Sequence, residues 1–451
     1  MKPYWEILKL VWPLALGMVN NALMQFTDRA FLARDSMESL EAVLPATMLV
    51  WIFLSFFQSA IAYSGVFVAQ YHGAKNPASC VRCYRAATLL SIVAGLFMFA
   101  LVPVGGWIFS LASPSADLLM RERTYYDICI LGGFFVFGQM SAASYFTGLG
   151  RTRIVFFVNL IGNAVNILLD PLLIFGFCGF PKLGIAGAAY ATVAATALQW
   201  VILAWAARRA TRGISAPGGV WPIALKILRL GIPSGGYSVL NTLSFTIFVF
   251  ITGSVGDVAF AASNACFTVN YLLIAPIEGF SLGAQTLVGH ACGRGDVGEA
   301  VRSARRTLVL ALGFIMLASA AILVFHRPLL ALFAPTDGTS AAEFIRMGRL
   351  LFILMVAWQL FDATDVVISG ALKGAGDARF VFWWMLIAAF LIWLPLVFVV
   401  AKVHNTMPAL WATMVVYVVI ICIGSLVRWR RGKWKTFDLM SDSRTRKGTP
   451  C

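Results

Sequence analysis

The chain has 451 residues, of which 60% are hydrophobic and only 12% charged, with a mean hydropathy of +0.83. A soluble domain carries about 25% charged residues, so this balance excludes an ordinary soluble enzyme and points to a polytopic membrane protein. The net charge of +15 would suit a nucleic-acid binder, but its placement along the chain reads as membrane topology, and no nucleic-acid partner is expected.

At ~20 apolar residues per crossing, the chain accommodates about twelve transmembrane helices with short loops. The first predicted span, about residues 4–32, contains Pro13 and then Asn21, Gln25 and Asp28, spaced to share one helix face. Span two covers roughly 43–71, and spans three and four about 83–112 and 122–149. A turn around Gly150 leads into span five, whose polar residues are Asn159, Asn163, Asn166 and Asp170. Their spacing of 4, 3 and 4 puts all four on one narrow face of an otherwise apolar helix. A carboxylate at mid-membrane costs about 2.5–3.5 kcal/mol on insertion scales, so it belongs against a cavity or a partner. Pro171 follows and cannot donate to the carbonyl of Ile167, which leaves an oxygen acceptor close by. Carboxylate, amides and spare carbonyl together suit a proton or a small hard cation. The alternatives are structural: Asn residues hydrogen-bonding to neighbouring helices, at about 0.6 kcal/mol each, and Asp170 capping a helix broken at Pro171.

Span six, about 184–206, opens on small residues that permit close helix approach and carries Thr192. The stretch 207–225 is rich in Arg, Gly and Pro and is the best boundary. After it the pattern restarts. Pro233 repeats Pro13 at an offset of 220, Gly293 falls over Gly73 at the same offset, and Gly376 to Arg379 repeats Gly150 to Arg153 at 226. The expected fold is therefore an all-α membrane protein of twelve transmembrane helices in two pseudo-symmetric six-helix lobes, 1–210 and 211–432, related as a parallel repeat, with a basic tail at 433–451. The repeat counterparts of Asp28 and Asp170 are Phe248 and Leu396, so the polar cluster belongs to the first half alone. The second half has its own acids, Glu278 beside Pro276, and Asp362 with Asp365 on one helix face. The latter two should titrate as a pair, unless one of them is matched with a basic residue near the span end.

Assigning loops alternately to the two sides gives one side 26 of the 35 Lys and Arg. The positive-inside rule makes that side cytoplasmic, with both termini inside a plasma (inner) membrane and the lipid bilayer as the chain's surroundings. The basic, Trp-containing stretch after Arg428 reads as a membrane-surface belt. Of eight cysteines, Cys80 and Cys83 form a lone CxxC that reads as incidental. The N-terminal apolar stretch lacks a small-residue cleavage site, so no cleaved signal peptide is expected. No Walker-type phosphate loop, HExxH or Ser/His/Asp arrangement occurs, so an enzyme is not expected and energy must come from an ion gradient or a partner.

Taken in order, Pro13 with Asp28, Asn166 to Pro171, Gly187 to Thr192, Gly148 to Arg153, Leu287 to His290 and Gly370 to Arg379 resemble the multidrug and toxic compound extrusion (MATE) family along essentially the full length. The resemblance implies a secondary antiporter that exports amphipathic, cationic organic compounds in exchange for H⁺ or Na⁺. It implies no cofactor beyond that ion, a small-molecule organic substrate as partner, and a monomer. By resemblance to the DinF-type branch, ion coupling falls on Asp28, Asn166, Asp170 and Thr192, which could also ligate Na⁺; no other metal site is implied. The NorM-type branch uses a span-seven glutamate, and Asn241 stands there in this chain, while the span-ten acid is Asp362. Glu278, Asp362, Asp365 and Asn241 are accordingly the expected substrate or secondary coupling residues, and Pro13, Pro171 and Pro233 the expected hinges. Two other readings are a lipid or oligosaccharide flippase of the same wider superfamily, disfavoured by the scarcity of mid-span Lys and Arg, and a non-transporting receptor or channel.

Overall fold

The computed structural model describes residues 2–112, 115–335, 338–437 and 439–440. Among these residues the chain is helix, turn and coil, with no strand. Twelve helices are long and apolar enough to cross a membrane: Tyr4–Asp35, Glu41–Gly73, Pro77–Phe99, Ala116–Gly148, Thr152–Phe175, Ile185–Thr211, Trp221–Val255, Asp257–Gly293, Val297–Val324, Ser340–Gly374, Ala378–Val403 and Met407–Arg431. They are numbered below as the first to twelfth spans. Most of the expected basic tail, 441–451, lies outside the described residues; its start forms a short 3-10 turn, Lys433–Thr436, with Trp434 buried and stacked on Trp429 at 4.3 Å.

The third span is shorter than expected. It ends at Phe99, and a separate helix, Val102–Ala112, follows. Pro103 is the second residue of that new helix, where its missing N–H costs nothing because the first turn has no intrahelical partner for it. Elsewhere the helices run through their prolines: Pro13, Pro45, Pro171, Pro233 and Pro276 all lie inside spans. The eleventh span instead loosens into a π-helical stretch, Ile387–Trp393, just before Pro395. There the missing N–H would otherwise leave the Leu391 carbonyl unpaired.

Two large apolar cores result. One gathers Phe67, Tyr126, Phe137 and Phe146 from the second to fourth spans, and the other Phe248, Phe344, Trp393 and Trp411 from the seventh to twelfth. Each core takes one turn from the other half. Ile7 and Val11 of the first span are buried in the second-half core, and Ile223 and Ile227 of the seventh span in the first-half core.

That exchange occurs at the end of the bundle where the chain both enters and leaves. There, Gly231 and Gly235 of the seventh span abut the carbonyls of Ala60 and Phe56, and Gly279 and Gly283 of the eighth abut Ala15 and Val11. Glycines four apart lie on one helix face and let backbones touch. At the very end, Gly73 meets the His290 carbonyl and Gly293 meets the Gln70 carbonyl, so closely that a Cβ on either would collide. Gly73 and Gly293 are 220 residues apart, as are Gln70 and His290. Such reciprocity is the signature of a pseudo-twofold axis passing between them. Hydrogen bonds obey it too. Gln70 Nε2 donates to the Gly374 carbonyl at 3.0 Å, and His290 Nε2 lies 2.7 Å from the Gly148 carbonyl. A carbonyl only accepts, so Nε2 of His290 carries the hydrogen. Toward the opposite end, Gln25, Asn241, Asn264 and Thr268 are exposed. Polar side chains exposed within membrane spans belong in a wet cleft rather than against lipid.

Candidate coupling and substrate sites

The polar stripe of the fifth span faces the first, fourth and sixth spans. Asn159 accepts from Gln139 Nε2 at 3.1 Å; Asn163 donates to Asn21 at 3.0 Å and accepts from Gln199 Nε2 at 3.3 Å. One turn further on, Asn166 is fully buried and oriented so that Nδ2 donates to Asp28 Oδ1 at 2.9 Å. The other end of its amide faces Thr192, 3.4 Å from the hydroxyl. Asp170, also fully buried, brings its carboxyl within hydrogen-bonding reach of Asp28. Two ionised carboxylates share no hydrogen, and both oxygens of Asp170 are left without a donor. Asp28, Asn166, Asp170 and Thr192 therefore form one cluster, and the Asn stripe beneath it is a hydrogen-bonded network that holds the four spans in register.

In the second half, Glu278, Asp362 and Asp365 all act electrostatically on Tyr237 of the seventh span. Asp365 is buried and accepts from Ser369 at 3.4 Å; Glu278 is exposed, one residue before the Gly279 that abuts Ala15 of the first span. Lys373 belongs to the same group, with its ammonium 4.1 Å from the centroid of the Tyr237 ring. A helical side chain points back toward the N-terminus of its helix, which for Lys373 is the interior of the bundle. Asn241 lies exposed on the seventh span, and its carbonyl accepts from Ser244 at 3.0 Å. Among the described residues no three His, Cys, Asp or Glu side chains cluster as metal ligands do.

Comparison with known proteins gives this geometry a family. The sequence profile of MatE matches residues 13–172 and again 233–399, the two matches beginning on Pro13 and Pro233. The chain belongs to the MatE family. Its relatives include a probable multidrug resistance protein NorM of Thermotoga maritima, 26% identical over 98% of this chain and 95% of the relative. Another is an uncharacterized transporter YisQ of Bacillus subtilis, 23% identical over 95% of each. Among solved structures, a MATE protein in complex with MaL6 superposes with a TM-score of 0.84 at 18% identity, covering 96% of this chain and 98% of the other. An outward-facing multidrug resistance MATE transporter of the MOP superfamily gives 0.83 at 19% identity, covering 96% and 97%. The chain is thus a multi-pass membrane transporter of a multidrug-efflux family and not an enzyme, all-helical with twelve candidate spans among the described residues.

Within this MatE chain, several residues of the two sites were missed by sequence reasoning. Gln139 and Gln199 complete the fifth-span network, but isolated amides on apolar helices give no signal until the partner face is known. Lys373 stands in the last turn of its helix beside Gly374, and only the backward lean of its side chain brings it inside. The Gly231/Gly235 and Gly279/Gly283 pairs carry the same signal as the small residues that open the sixth span, close helix approach at four-residue spacing.

Proposed function

We propose that this transporter exchanges an amphipathic organic cation for H⁺ or Na⁺, with coupling at Asp28 and Asp170 assisted by Asn166 and Thr192. The observation that carries the reading is the donorless Asp170 carboxyl facing Asp28. Burying two like charges against one another costs several kcal/mol unless a proton or a cation intervenes. Loading that ion neutralises the pair and lets the regions of Pro13 and Pro171 repack. An ion drives a conformational change only through such a difference in interaction between two states.

The lobes 1–210 and 211–432 rock about the closed end, Pro233 serving as the third hinge, and the basic tail at 433–451 stays at the cytoplasmic surface. Both termini are cytoplasmic, in the plasma (inner) membrane, and the wet side of the cleft opens outward. The substrate occupies that cleft near Glu278, Asp362, Asp365 and Asn241, whose charge favours cations. Relatives named as multidrug resistance proteins support the efflux direction, and the protein works as a monomer.

Reconstituted vesicles with an imposed pH or Na⁺ gradient provide the test. Asp28→Asn and Asp170→Asn should each reduce gradient-driven efflux to background while the proteins still fold and bind substrate. Near-normal exchange by both variants would move coupling to the second half, at Glu278 or Asp362.

A further inference from the structure

The second-half site contains a cation of its own. Lys373 reaches the aromatic face of Tyr237, Glu278 and Asp365 are the charges that act on it, and Tyr237 feels all three acids electrostatically. Without any cation, three carboxylates in a partly dry cleft would be a costly arrangement. We propose that Lys373 is a tethered stand-in for the transported cation, holding the Tyr237 face between transport cycles and yielding it when an organic cation enters.

The chemistry on the two sides of this exchange is the same. An aromatic face in the field of nearby carboxylates receives a monovalent ammonium, and a quaternary or phosphonium cation fits that description equally well. The ammonium rides on a flexible four-carbon stem, so it can leave the ring without moving the helix. Its backbone stays in place, because the Lys373 carbonyl accepts from Tyr63 Oη of the other half at 3.0 Å. A tethered competitor acts at an effective concentration in the millimolar range. Lys373 therefore sets a threshold: cations that hold the site weakly are excluded, while neutral amphipaths, which do not compete for the ring and the acids, are unaffected. Lys373 is in this sense a residue that determines specificity rather than one that contributes attraction.

The inference rests on the cation reading given above, and the experiment separates the two. Binding of tetraphenylphosphonium and of its neutral analogue triphenylphosphine oxide is measured on the purified full chain in nanodiscs. Lys373→Met should tighten phosphonium binding about tenfold, as expected when a millimolar-equivalent internal competitor is removed, and leave the neutral analogue unchanged. Adding methylammonium in trans should weaken phosphonium binding to the variant but not to the parent, an effect that a merely structural lysine would not produce. Lys373→Gln carries the same prediction should the Met variant fail to fold. Unchanged or weaker phosphonium binding in both variants, with the parent still preferring the cation, overturns the stand-in role and leaves the cation reading intact. A parent that binds the neutral analogue as well as the phosphonium overturns the cation reading, and the stand-in role with it.

Discussion

The two halves of this chain match where they touch and differ where they are polar. At the closed end, Gln70 and His290 occupy equivalent positions and each bonds the last carbonyls of a helix in the opposite half. In the interior the equivalence is lost. Asp28 meets Asp170 across the first and fifth spans, whereas its counterpart Phe248 is fully buried and stacks on Trp393 at 5.2 Å. Trp393 in turn stacks on Tyr417 at 4.6 Å. At the position where the first span carries the ionisable Asp28, the seventh carries a ring packed among rings, and the acids of the second half stand elsewhere, on the eighth and tenth spans. A duplicated fold needs its symmetry only at the pivot; its two halves can then carry different chemistry.

The backbone contact at the pivot should respond most strongly. Gly73→Leu or Gly293→Leu would drive a side chain into a carbonyl of the opposite half, and overpacking of this kind costs about 1–3 kcal/mol. We expect the closed form to lose population by roughly tenfold, since ~1.4 kcal/mol corresponds to a factor of ten, and to see this as a longer spin-label distance between the second and eighth spans. Equal distances in parent and variant would mean that these glycines do not hold the halves together.

The hydrogen bonds should matter less, and alike. Gln70→Ala and His290→Ala each remove one bond worth about 1 kcal/mol. The same distance measurement should report similar shifts for the two variants. A large effect from one and none from the other would break the equivalence and leave a single latch in place of a pair.

Smallest of all is the effect expected at the aromatic counterpart of the coupling residue. Phe248→Leu keeps the site apolar and loses mainly the ring contact, about 0.5–1.5 kcal/mol. Thermal stability should fall slightly and the drug-to-ion ratio should not move. A changed ratio would show that the second-half interior takes part in coupling after all.

Much of this protein was legible in the sequence. Twelve spans follow from the length and apolar content of each segment, because a bilayer of fixed thickness demands about twenty such residues. The parallel repeat followed from Pro13 and Pro233 and from Gly73 and Gly293, since residues that shape a backbone keep their spacing when a unit is duplicated. That Asp28, Asn166, Asp170 and Thr192 would share a location was implied by the resemblance to the DinF-type branch, helical periodicity giving only the polar faces of the first and fifth spans. Periodicity gives the face of one helix, though, and not which faces meet. The tertiary structure decided that Asp170 has no donor, that Gln139 and Gln199 complete the fifth-span network, and that Gln70 and His290 clasp the opposite halves. It also decided that Lys373, a span-end residue by sequence, reaches back over Tyr237. These are contacts between residues tens to hundreds of positions apart, fixed by how whole helices pack, and no local pattern in the chain encodes them.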